Sequence, residues 1–136
     1  MEKRQLKELA RRKLSEFHKW RNVAGFHYSL ISVSDVWTVE LFDFKPEEFE
    51  MMRHDWQREA PYEVNEIIKA INAIEIPRRR ATLVLSYLMP QRLGTKEQKS
   101  ILSVASSTYH RDKELALLDF AKLYRNGVIK TFTEQD

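Results

Sequence analysis

The chain has 136 residues, 43% hydrophobic and 32% charged, the balance of a globular protein that buries one ordinary core and is too short for a barrel-type catalytic fold. It contains no cysteine, which excludes disulfides, thiol catalysis and cysteine-ligated zinc, and no apolar run of membrane-spanning length. The net charge of +3 is unevenly spread: residues 1–25 carry eight basic and three acidic side chains, residues 35–75 four and eleven, and residues 76–136 eleven and six.

Two basic ends thus flank an acidic middle, a layout that suits an anionic partner and equally suits solvated helix faces. Leu6, Leu9, Ala10, Leu14, Phe17 and Trp20 recur at three and four residues, so 2–23 reads as one amphipathic helix closed near Gly25. Its polar face is a basic stripe that includes Lys3, Arg4, Lys7, Arg11, Arg12 and Lys13. Charges alternate with isolated apolar residues there, unlike the apolar core of a signal peptide, and a cytoplasmic location is the default expectation. Ile31, Val33, Trp37, Val39 and Leu41 then alternate, the period of a half-buried strand, and short strands or an extended segment over about 28–44 are both compatible with it.

Pro46 with Glu47 and Glu48 has the chemistry of a helix first turn, and a helix to about Glu59 is expected. Pro61 is read as opening the next helix, with Val64, Ile67, Ile68, Ile71 and Ile74 on its apolar face. Pro77 ends that helix or starts another over 78–89, and Pro90 and Gly94 punctuate a turn. Thr95 and Gln98 match a capping box, Ser106 is a good N-cap, and a last helix is expected to about Asn126, closed by Gly127. The expected fold class is mainly α, with an N-terminal helical region over 1–75 and a helix-turn-helix region over 76–136.

A short helix, a tight turn at Ser103 and a longer helix are the parts of a helix-turn-helix, with Leu102, Val104 and Tyr109 at apolar offsets. Lys99 stands where a small residue is expected and Asp112 where an apolar one is. Facing away from Tyr109 and Phe120, the last helix displays Ser107, Thr108, His110, Arg111 and Glu114. Hydroxyls at a helix N-terminus hold phosphate, and an arginine reaches a guanine edge. The candidate DNA-contacting residues are therefore Lys96, Ser106, Ser107, Thr108, His110, Arg111 and Lys113, with Arg78, Arg79 and Arg80 on the preceding helix.

The run Ser106 to Lys113 followed by Ala116 to Ala121 resembles the C-terminal part of ArpU-type phage transcriptional regulators, which look like the DNA-binding region of primary sigma factors. Arg79 to Leu85 with Tyr87 resembles the helix before that motif, and Lys13-Leu14 through Trp20-Arg21 to Ala24-Gly25 resembles the family's opening helix. The resemblance is good over 70–136, partial over 1–25 and poor between, where Trp37, Phe42 and Phe44 depart from a polar linker. It implies a phage or prophage protein that binds promoter DNA and regulates late or lysis genes, with double-stranded DNA as partner; the acidic middle suits contact with RNA polymerase or a partner helix, a homodimer is compatible with the sequence, and no cofactor is expected. A small terminase subunit and an adaptor for the transcription machinery are the alternatives.

Enzyme chemistry is not expected. Ser107, His110 and Asp112 lie on one helix without a nucleophile elbow, and the four histidines lack paired ligand spacing. Trp20, Trp37 and Trp56 are assigned to packing.

Overall fold

Apolar positions three and four residues apart make faces that helices bury against one another, and the chain is mainly helical. The computed structural model describes residues 2–26 and 31–127; residues 28–30 of the expected extended segment and 128–136 of the C-terminal region lie outside them. The expected single first helix is two, α1 (Lys3–Ser15) and α2 (Phe17–Val23). They meet at Glu16, whose backbone N–H bonds to the Lys13 carbonyl three residues back. Its carboxylate takes the Lys13 ammonium at 3.2 Å and the Trp20 indole N–H at 3.0 Å.

No strand forms among the described residues. After a single 3₁₀ turn at Val33–Asp35 the chain is extended. The odd-numbered alternation does not mark a buried face, because Val33, Trp37 and Leu41 are 45%, 43% and 46% exposed while Ile31, Val36 and Val39 are buried. In place of a partner strand the segment bonds to two asparagines of helix α4 (Asp55–Asn72). The Val39 N–H donates to Asn72 Oδ1 and the Asn72 amide donates back to the Val39 carbonyl, at 3.1 and 2.7 Å. Phe42 and Asn65 repeat the exchange, both bonds 2.9 Å. Two turns of helix span roughly the same 10 Å as three extended residues, so a seven-residue spacing on α4 matches a three-residue spacing on the strap.

Helix α3 (Pro46–Glu50) starts at its proline as expected but ends nine residues short of Glu59. The break falls at 51–54, and α4 runs through Pro61 instead of starting there. Pro61 removes one backbone bond, yet it lies on the buried face with Ala60, Val64, Ile67, Ile68 and Ile71, and that packing carries the helix past it. Helix α5 (Pro77–Leu83) also begins at a proline and continues into a wide π turn over Val84–Leu88.

The helix-turn-helix consists of α6 (Thr95–Leu102) and α7 (Ser106–Leu123), with Ser103 left-handed at φ 55°. The caps differ from expectation. Gly94 precedes α6, so Thr95 is its first helical residue, and Ala105 precedes α7, so Ser106 is helical. Gln98 is 5% exposed and turns inward instead of capping. Its Oε1 accepts from the Tyr109 and Ser86 hydroxyls at 2.8 and 2.9 Å, and its amide donates to the Leu93 carbonyl at 3.0 Å. After α7 the chain turns at Tyr124–Asn126 and reaches Gly127 at φ 90°.

One core joins Leu14 and Phe17 to Ile67, Ile68, Ile71, Leu83, Leu88, Leu117 and Phe120, so it crosses the 75/76 division drawn in the sequence. Packing holds Trp20 only: Trp37 is exposed, and Trp56, 47% exposed, stacks on His54 at a corner with Met51, which is 91% exposed. Among the described residues no helix is long and apolar enough to cross a membrane.

Candidate nucleic-acid interface

Tyr109, Asp112, Ala116 and Phe120 line the buried side of α7, with Tyr109 1% exposed. On the opposite side, at the N-terminal end, Ser106, Ser107, His110 and Arg111 are exposed, and Lys96 is exposed on the first turn of α6. The four on α7 share its N-terminal end, where unpaired amides and the positive dipole add to them. Thr108 is half-buried, and Lys99 reaches the Ser106 hydroxyl at 3.4 Å.

The arginine triplet serves the fold. Arg78 pairs with Asp112 at 2.5 Å, which explains how a carboxylate 4% exposed occupies an expected apolar position. Arg79 pairs with Asp119 at 2.9 Å. Arg80 donates to the Trp37 carbonyl at 2.9 Å and to the Ile74 carbonyl at 2.6 Å, pinning the strap to the end of α4. A backbone-crossing role for Arg78, Arg79 and Arg80 therefore competes with partners already in place. Successive residues of a helix point 100° apart, and the sequence offers no cue that three consecutive arginines each meet a different element.

Glu114 and Lys113 also depart from the sequence reading. The Glu114 carboxylate is not a free outer group: Lys7 of α1 holds it at 2.6 Å and Arg11 at 3.1 Å. The hydrogen bond from Lys7 sets its pKa below the ordinary carboxylate value, outweighing partial burial. Further along, Lys13 sits 5.5 Å over the Tyr124 ring, so α1 and α7 run in the same direction, with the basic start of α1 beside the N-terminal half of α7. Lys113, one turn after Tyr109, lies on the inner flank, its ammonium 5.7 Å over the Tyr87 ring and 5.9 Å over the Tyr109 ring.

Sequence reasoning missed Gln98, Asn65, Asn72 and the α1 contribution. A buried glutamine within hydrogen-bond reach of a buried tyrosine is a tertiary fact, whereas the small Ala10, Ala116 and Ala121 were a signal that helices approach closely. Searched against protein-family models, curated proteins and solved structures, the chain matches none.

Proposed function

We propose that the chain is a DNA-binding transcription regulator that reads duplex DNA with the N-terminal half of α7. The observation that carries this reading is the exposed constellation of Ser106, Ser107, His110 and Arg111 on the outer face of the second helix of a helix-turn-helix, with Lys96 on the first. Hydroxyls and lysine hold phosphates and fix register, while Arg111 has the reach and bidentate geometry to select guanine. The resemblance of 70–136 to ArpU-type regulators supports the narrower reading of a phage or prophage regulator of late or lysis genes.

Selection of bound sequences from random duplexes tests binding, specificity and half-site symmetry together. With the arginine triplet occupied, roughly four cations remain for phosphates, and the slope of log K against log salt is expected near about −3 to −4. Arg111→Ala is expected to cost about 1–3 kcal/mol on the selected site and to relax base preference, whereas Lys96→Ala weakens all duplexes alike. A flat salt response with no enriched sequence refutes the reading.

A second reading, an adaptor for the transcription machinery, is favoured by the corner between α3 and α4. Met51, Trp56 and Tyr62 are exposed there among Glu47, Glu48, Glu50 and Glu59. Arg53 and Arg58 share this segment, which is still net negative, and exposed aromatics among such charges suit a protein partner. Both readings are compatible, because Glu63, just past this corner on α4, meets Tyr124 at the far end of α7 from Arg111.

A further inference from the structure

Beside the helix-turn-helix lies a groove of about 650 Å³ that the DNA-reading face does not use. It is lined by Leu85, Tyr87 and Met89 of the π turn and the turn after it, by Arg11 of α1 and His18 of α2, by Lys113 of α7, and by Gln91 and Arg92. No acidic residue lines it among the described residues. Arg11 is already held by Glu8 and Glu114, at 3.3 and 3.1 Å. Arg92 and Lys113 have no carboxylate within ion-pair distance among the described residues, and Glu114 turns from Lys113 toward α1.

Lys113 is placed by the fold. Its stem leaves α7 on the inner flank and its ammonium rests over two tyrosine rings, which hold a cation without neutralising it. Cations gathered in a concave site with no lining carboxylate among the described residues focus a positive potential into the groove. The Gln91 amide and the Ser15 hydroxyl are able to donate, while the Ser86 hydroxyl already donates to Gln98.

We infer that this groove binds a phosphate group, held between Lys113 and Arg92. A phosphate offers several acceptor oxygens and more than one negative charge, matching two unneutralised cations and neutral donors better than a single carboxylate does. Two sources carry this chemistry: a free phosphorylated metabolite, or a backbone phosphate of duplex DNA that flanks the site read by α7. The first stands without the proposed DNA-binding function and the second rests on it.

The experiment measures inorganic pyrophosphate binding by calorimetry and duplex affinity by anisotropy, on the full chain, for wild type, Arg92→Gln, Lys113→Gln and, as control, Lys45→Gln on α3's approach. Each groove variant is expected to weaken phosphate binding about tenfold, the worth of one charge-assisted hydrogen bond. Saturable pyrophosphate binding lost in both groove variants, with duplex affinity unchanged, assigns the free metabolite. Weakened duplex affinity without pyrophosphate binding assigns the DNA backbone. Arg92 is exposed, so Arg92→Gln keeps the test decisive if Lys113→Gln fails to fold. No pyrophosphate binding together with groove variants that hold duplex as wild type does overturns the inference. Loss of duplex binding on Arg111→Ala separates failure of the groove from failure of the DNA reading.

Discussion

At the residue scale, the buried carboxylates Glu63 and Asp112 are each paired with a cation from a distant element. Asp112 and Arg78 are 34 positions apart, and the carboxylate is far more buried than the guanidinium, whose side chain is 42% exposed. Arg78→Met therefore leaves a buried charge without its partner, and a loss of about 1–3 kcal/mol is expected in urea unfolding. The double change Arg78→Met with Asp112→Leu is expected to recover most of it, because the apolar pair matches the offset that a helix-turn-helix ordinarily fills; equal destabilisation in both would refute this account. Glu63 answers to pH in the same way. Burial alone raises its pKa, but hydrogen bonds from Tyr124, at 2.7 Å, and Arg125, with the Lys13 charge, hold it below the ordinary 4.5. A depressed folded value means that the unfolded chain binds the proton first, so this stabilisation is complete above 4.5 and is lost as pH falls through the folded value. Melting temperature is expected to drop below that point in the wild type, and Glu63→Gln to start lower at pH 7 and show a shallower acid limb.

At the element scale, the strap over 36–44 depends on side chains of a helix. Each of Asn65 and Asn72 makes two bonds to the backbone of one strap residue, and replacing either with Ala leaves a half-buried N–H and C=O unmet, at a cost of about 1–3 kcal/mol. Hydrogen exchange is expected to accelerate at Phe42 in Asn65→Ala and at Val39 in Asn72→Ala, with α4 itself still protected; unchanged exchange at those amides would show that apolar packing alone holds the strap. These same elements mark where the sequence was legible. Faces with period 3.6 named α1, α4 and α7, and Pro46 fixed a helix start, because both signals are local, while Pro77, read as an end or a start, proves to start α5. Pro61 misled because the burial that carries α4 through it comes from other helices. The alternation at 31–41 misled because two asparagines more than twenty residues away satisfy its backbone, and no period records a partner of that kind. The site was half legible for the same reason: exposure of Ser107, His110 and Arg111 follows from the α7 face, but the employment of Arg78, Arg79 and Glu114 follows from tertiary contacts.

At the scale of the whole molecule, Glu114 decides how much positive charge the α1–α7 face presents. Its carboxylate neutralises Lys7 and Arg11 beside the proposed DNA-reading end, while Lys3 and Arg4 of the same helix stay exposed. Glu114→Gln keeps the shape of the side chain and removes its charge, so Lys7 loses its carboxylate and Arg11 keeps only Glu8, which frees one to two cations on α1 for flanking phosphates. Each additional phosphate neutralised steepens the slope of log K against log salt by about 0.9, so the variant is expected to bind random duplexes more tightly at low salt, with a slope steeper by about 1 to 2. Base preference is expected to stay as in the wild type, because Arg111 is untouched and added phosphate contacts carry no sequence information. The same change loosens α1 from α7, and a modest fall in melting temperature is expected, since the pairs are partly solvated. Lower duplex affinity with an unchanged slope would mean that α1 faces away from DNA and that Glu114 matters only for docking the helix. Adding Lys7→Gln to Glu114→Gln separates the two: it returns the slope toward the wild type if the freed Lys7 contacts phosphate, and leaves it unchanged if it does not.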